Sequence, residues 1–163
     1  MKREEEFKEA LAPIVGNELM QKSKTFVQHG NVSVFTHSMA VAQYSIRLAE
    51  FLHIKYDFNA LARGALLHDF FLYDWHKINN VGDGLHGFAH PKTAVKNAEK
   101  VFNISKKEHD IIRKHMWPLT LFNIPTCRES WLVCAVDKYC STLETLKINK
   151  YNNQSFHNYI KIT

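Results

Sequence analysis

The chain has 163 residues, 45% of them apolar and 23% charged, a balance ordinary for a soluble globular protein. That length predicts one domain, residues 1–163, with a core large enough to fold unaided, and no run of about 18 apolar residues is present to span a membrane. The net charge of +5 is uneven: residues 92–114 carry seven Lys/Arg against three Asp/Glu, and residues 147–163 carry three Lys and no acid.

The opening MKREEEFKEAL mixes charges and has no apolar h-region, unlike a secretory signal. Residues 3–11 and 14–29 read as two short helices around Pro13, the second stopped by Gly30. Residues 33–53 read as a long central helix. His37, Val41, Tyr44, Leu48 and Phe51 form one stripe on it, and Met39, Ala42, Ile46 and Ala49 form a second. A helix is predicted over 58–70, where Ala60, Ala62, Gly64 and Ala65 permit close approach. Residues 78–90, with three glycines, read as a loop, and Pro91 suits the first position of a helix to about Phe102. Ser105 and Glu108 form a capping-box pattern for a helix ending near His115. Pro118 and Pro125 bracket another loop, and residues 128–146 form the last long helix. The core is expected over about 29–146, with 147–163 a weakly structured tail. No strand alternation is persuasive, so the class is all-α.

The three cysteines, Cys127, Cys134 and Cys140, match no zinc-ribbon or redox spacing, and read as buried free thiols in a reducing cytosol. The basic surface suits a phosphorylated partner. It reads equally well as a solvated helix face, and the segment 92–114 lacks the interleaved aromatics that would stack nucleic-acid bases.

Ten histidines are many for this length. Burying His68 and Asp69 side by side in the small, apolar run ARGALLHDFF costs several kcal/mol unless a network or a metal ion satisfies them. Five polar positions fall at helix ends or on apolar stripes: His37, His68 with Asp69, His90, His115 and Asp137. Singly, each is more often a hydrogen-bonded core residue. Together, one from each predicted helix, they suit a metal site inside a helical bundle. Imidazole and carboxylate ligands suit Fe, Mn, Zn, Co or Ni.

The order H…HD…H…H…D resembles the HD-domain superfamily of metal-dependent phosphohydrolases. The resemblance rests on His37 in FTHSMAVA, on LLHD, on the His90–Pro91 step, on His115, and on Asp137 in AVDKY. It covers about residues 29–146 and is closest to small bacterial HD-domain proteins. It implies an HD-domain helical bundle, with the metal site between central helices. His37, His68, Asp69 and Asp137 would hold one divalent transition ion, and Asp69 would bridge to a second completed by His90 and His115. The chain lacks the HD-I-G-K form, reading FFLYDWHK after the pair, and reads MWPLT where a GYP signature would follow His115. These departures argue against cyclic-di-GMP as substrate.

The implied activity is hydrolysis of a phosphate ester or nucleotide by a metal-activated water. Asp74, His76 and Lys77 follow the pair within a turn or two, and Asp74, five residues beyond Asp69, is the preferred general acid or water-orienting residue. Lys77, Lys92 and Lys138 are candidate cations for the leaving group, Lys92 being the one that reads best as a plain surface lysine. His29 and His86 could touch substrate, while His53, His109 and His157 read as surface residues. Tyr73, Trp75 and Trp117 could line the pocket mouth. Two other classes share the ligand pattern: a diiron oxygenase of the same fold, and a non-catalytic nucleotide-sensing module. Mixed-valence iron would favour the first, and retention of six ligand types argues against the second. A homodimer is compatible with the composition.

Overall fold

The computed structural model describes residues 2–77 and 85–156. Most of the expected loop 78–90, and His157, lie outside the described residues. The chain order is α1 (Lys2–Val15), α2 (Glu18–Lys22), a single 3-10 turn, the strands β1 (Val27–His29) and β2 (Val32–Ser33), then α3 (Val34–Phe51), α4 (Phe58–Leu67), α5 (His86–Val101), α6 (Lys106–Lys114) and α7 (Arg128–Thr145). The all-α class therefore holds.

The first 30 residues depart most from expectation. Proline 13 lies inside α1 rather than between two helices. Its missing N–H falls opposite the carbonyl of Glu9, an exposed residue whose carbonyl water can satisfy. The region expected as a helix over 14–29 ends at Lys22, and Val27–Ser33 folds into an antiparallel hairpin pairing Val27 with Ser33 and His29 with Val32. Gly30 turns this hairpin at φ 58, where a Cβ would lie 2.8 Å from the carbonyl oxygen of Glu144.

Helix α3 starts where Ser33 Oγ accepts from the N–H of Thr36 at 3.2 Å. It packs most extensively against α4 and α7 and is buried along most of its length. Phe51, at the end of its first stripe, is 78% exposed. Asp57 caps α4 by accepting from Ala60 N–H at 3.1 Å. Gly64 brings α4 against α6, where an added Cβ would meet Ile111 Cδ1 at 2.6 Å. Helix α6 carries the full capping box of Ser105 and Glu108.

Helix α5 begins at His86, so Pro91 sits in its second turn, not its first position. The carbonyl of Leu85 starts the ladder by accepting from the N–H groups of Phe88 and Ala89. Residues 147–156 do not trail away: Tyr151 and Phe156 join the core. Asn153 clasps the hairpin, accepting from Ser33 N–H at 2.9 Å and donating to the carbonyl of Asn31 at 3.2 Å. No helix among the described residues is long and apolar enough to cross a membrane.

Candidate metal centre

Five segments converge on one buried cluster. His37 comes from the first turn of α3 and Asp137 from the middle of α7. His68 caps the C-terminus of α4 and His115 that of α6, while His90 lies in the first turns of α5. Asp69 follows the end of α4, which stops at Leu67 rather than near residue 70. The chain leaves the helix there through Leu72 at φ 62, and Asn97 of α5 pins the turn by donating to the carbonyls of Phe70 and Phe71 at 3.0 and 3.1 Å. All six side chains are nearly inaccessible.

The ligand-type atoms form two groups that share Asp69. Those of His37, His68, Asp69 and Asp137 lie within 4.8 Å of one another, as do those of Asp69, His90 and His115. Each Asp69 oxygen faces one group. Oδ2 stands 3.3 Å from His68 Nε2 and 3.7 Å from His37 Nε2. Oδ1 stands 3.2 Å from His90 Nε2 and 3.6 Å from His115 Nε2. Asp137 Oδ1 lies 3.1 Å from His37 Nε2 and 3.5 Å from His68 Nε2.

What faces the centre is a set of acceptors. A carbonyl can only accept, so His68, His90 and His115 donate Nδ1–H to the carbonyls of Ala65, His86 and Ile112, at 2.7, 2.8 and 2.8 Å. His37 donates Nδ1–H to the Glu144 carboxylate at 3.0 Å, and Tyr151 donates to the same carboxylate at 2.6 Å. When neutral, imidazoles in this tautomer present bare Nε2 lone pairs to one another and to two carboxylates. His90 and His115 bring theirs within 2.8 Å. His68 Nε2 and Asp69 Oδ1 are buried with no hydrogen-bond partner. Acceptors facing acceptors out of water are costly unless a cation lies between them, so these residues can hold a metal ion.

The electrostatics show how strongly the two carboxylates draw positive charge: against burial, Asp69 and Asp137 hold the His68 ring well above its usual range, so a proton can meet the demand that a metal ion would meet. Burial alone would raise both carboxyl groups, yet His68 and His90 hold Asp69 well below the usual carboxylate range, and His37 and His68 do the same for Asp137. Burial opposes charge on His37, but its bonds to Asp137 and Glu144 outweigh it and raise the ring to about 9. Burial and the neighbouring His68 push His115 down to about 3.

The cluster floors a cavity of about 680 Å³. The residues expected to touch substrate, His29, His86 and Lys138, all line it. Lys138 donates to the carbonyls of His115 and Cys134 at 2.8 and 3.2 Å. Trp75 stacks on His86 at 4.9 Å, and His86 stacks on His90 at 4.5 Å. Tyr73 shares a hydrogen bond of 2.8 Å with His86 Nδ1. Trp117 packs edge-on against Trp131.

Asp74 and Lys77 are not brought to the cluster. They pair with each other at 3.0 Å, and Lys77 is 81% exposed. The turn after Phe71 carries them outward. Two residues at the centre escape the sequence reading. Gln28 donates to Asp69 Oδ2 at 2.6 Å, and Glu144 backs His37. Glu144 had a faint signal, since it lies seven residues after Asp137 and so on the same helix face. Gln28 had none. Comparison with family models, curated proteins and solved structures returned no match.

Proposed function

We propose that this chain is a metal-dependent phosphohydrolase of the HD-domain superfamily, acting on a phosphate ester or nucleotide. The observation that carries the reading is the pair of buried His/Asp groups joined through Asp69 beneath an open cavity. The order of their residues along the chain is the order of the HD-domain ligands. His37, His68, Asp69 and Asp137 would hold one divalent transition ion, and Asp69, His90 and His115 a second. Ions there would lower the pKa of a bound water and neutralise phosphoryl charge. The chain's own part is to fix ligand direction through the Nδ1 bonds and to exclude bulk water from the floor. Lys138, which lines the same cavity, would offer its ammonium to the leaving group. The three free thiols suit a reducing compartment such as the cytosol.

The test is metal content by elemental mass spectrometry on protein purified without chelator and without oxygen, beside Asp69→Ala. About two transition-metal ions per wild-type chain and few in the variant are expected, with phosphate released from at least one ester in a screen. Full metal content in Asp69→Ala removes the shared-ligand assignment. Mixed-valence iron without phosphate release moves the chain to oxygen chemistry.

A further inference from the structure

The cavity above the cluster is large, and the lining away from the Asp69 and Asp137 floor carries one lysine, the His29 and His86 rings and an apolar set. Its outer wall is Trp75, Gly87, Met116, Pro118 and Leu119. Leu119 seals that wall, with its Cδ2 only 3.1 Å from where a Cβ on Gly87 would stand. Leu85, Phe88 and Leu121, close in sequence to these residues, are also exposed. Among the described lining residues Lys138 is the sole lysine and there is no arginine. Two main-chain carbonyls already share its ammonium.

This inventory sorts phosphorylated compounds by charge. One phosphoryl group at the cluster would meet the divalent ions of the proposed reading. A second or third phosphoryl group reaching Leu119, Pro118 and Trp75 would exchange water for apolar surface, with no lysine or arginine beyond Lys138 among the described lining residues to meet it. An apolar organic group in the same space would leave water and touch a matching wall.

We propose that the site selects phosphate monoesters of apolar alcohols and rejects di- and triphosphates. The proposal rests on the phosphohydrolase reading and names its substrate class. The reaction is hydrolysis without redox change. A water oxygen bonds to phosphorus, the P–O bond to the alcohol breaks with its electron pair on the alcohol oxygen, and the proton of the water ends on that oxygen. The products are an apolar alcohol and inorganic phosphate.

The experiment compares 2-phenylethyl phosphate with ethyl phosphate on manganese-loaded protein. Their leaving alcohols are similar in acidity, so a difference in kcat/KM reads the cavity. ATP and ADP are run alongside. Binding is read independently as quenching of tryptophan fluorescence by 3-phenylpropylphosphonate and by ethylphosphonate, which cannot be hydrolysed. The phenyl compounds are expected to win by at least about tenfold in both readouts, with no phosphate released from ATP. Leu119→Ser, at a half-exposed position that tolerates polarity, should shrink both gaps several-fold. Equal affinity for the two phosphonates, or a preference for ATP, overturns the proposal. Selective phosphonate binding with no phosphate released from any ester overturns the hydrolase reading instead, and keeps the apolar selectivity as a property of binding.

Discussion

Each imidazole of the cluster is aimed by its Nδ1–H, and for three of them the acceptor is a main-chain carbonyl that no substitution removes. Glu144 is the exception. Replacing it with Ala frees the His37 ring and leaves the Tyr151 hydroxyl buried without its acceptor. We expect Glu144→Ala to weaken metal binding ~10–100-fold with helical circular dichroism unchanged, and Glu144→Gln, which still accepts, to do less. Competition with a chromogenic chelator measures both. Glu144 also shows what a residue-level reading of sequence can reach. His37, His68, Asp69, His90, His115 and Asp137 stand out because imidazoles and carboxylates among apolar neighbours demand a partner. Glu144 sits among polar residues near a helix end, where an acid needs no explanation. Asp74 and Lys77 looked promising through nearness in sequence to His68 and Asp69, but a turn of only a few residues sends them to the surface.

Two helix contacts set how closely the elements approach. Ile111 of α6 lies against Gly64 of α4. Alanine is the better helix former by ~1 kcal/mol, yet its methyl would collide with a buried branched side chain, at a cost of ~1–3 kcal/mol. The collision wins, so Gly64→Ala should lower the thermal midpoint. Asp110 ties α6 to the start of α7 by accepting from the main chain and hydroxyl of Thr126, at 3.1 and 2.7 Å, beside Lys114. Burial would raise this carboxyl, but Lys114 and Thr126 hold it at about 2, against 3.8 unperturbed. A depressed folded value stabilises the protein above pH 3.8, and that stability is lost as pH falls towards 2. Thermal melts from pH 5 to 2 should show Asp110→Asn less stable at pH 5 and flatter with acid. The capping box and the small-residue face of α4 were legible because each is a local pattern. The hairpin was not: strands of three and two residues are too short for alternation, and contacts with α3, α7 and the C-terminal segment hold them in place.

At the scale of the whole molecule, the chain closes on itself. Residues 147–156 cover the hairpin and α7, and Tyr151 connects that closure to His37 through Glu144. Deleting 147–163 removes two buried aromatic rings, each worth ~3–5 kcal/mol in a core. We expect the midpoint to fall by about 10 °C or more, with weaker metal retention in the same protein. The sequence hid this because asparagine and lysine dominate the segment and its two anchoring rings have no period. The six ligand residues are spread from position 37 to position 137, and only the complete fold assembles them. An ion held by that set would have no comparable site on the unfolded chain, so it would act as a ligand of the native state alone. Free metal at a hundred times its dissociation constant would then add about 2.7 kcal/mol per site. The lifetime of the folded protein would then be tied to metal supply, and starvation for such an ion would be felt as turnover of the chain.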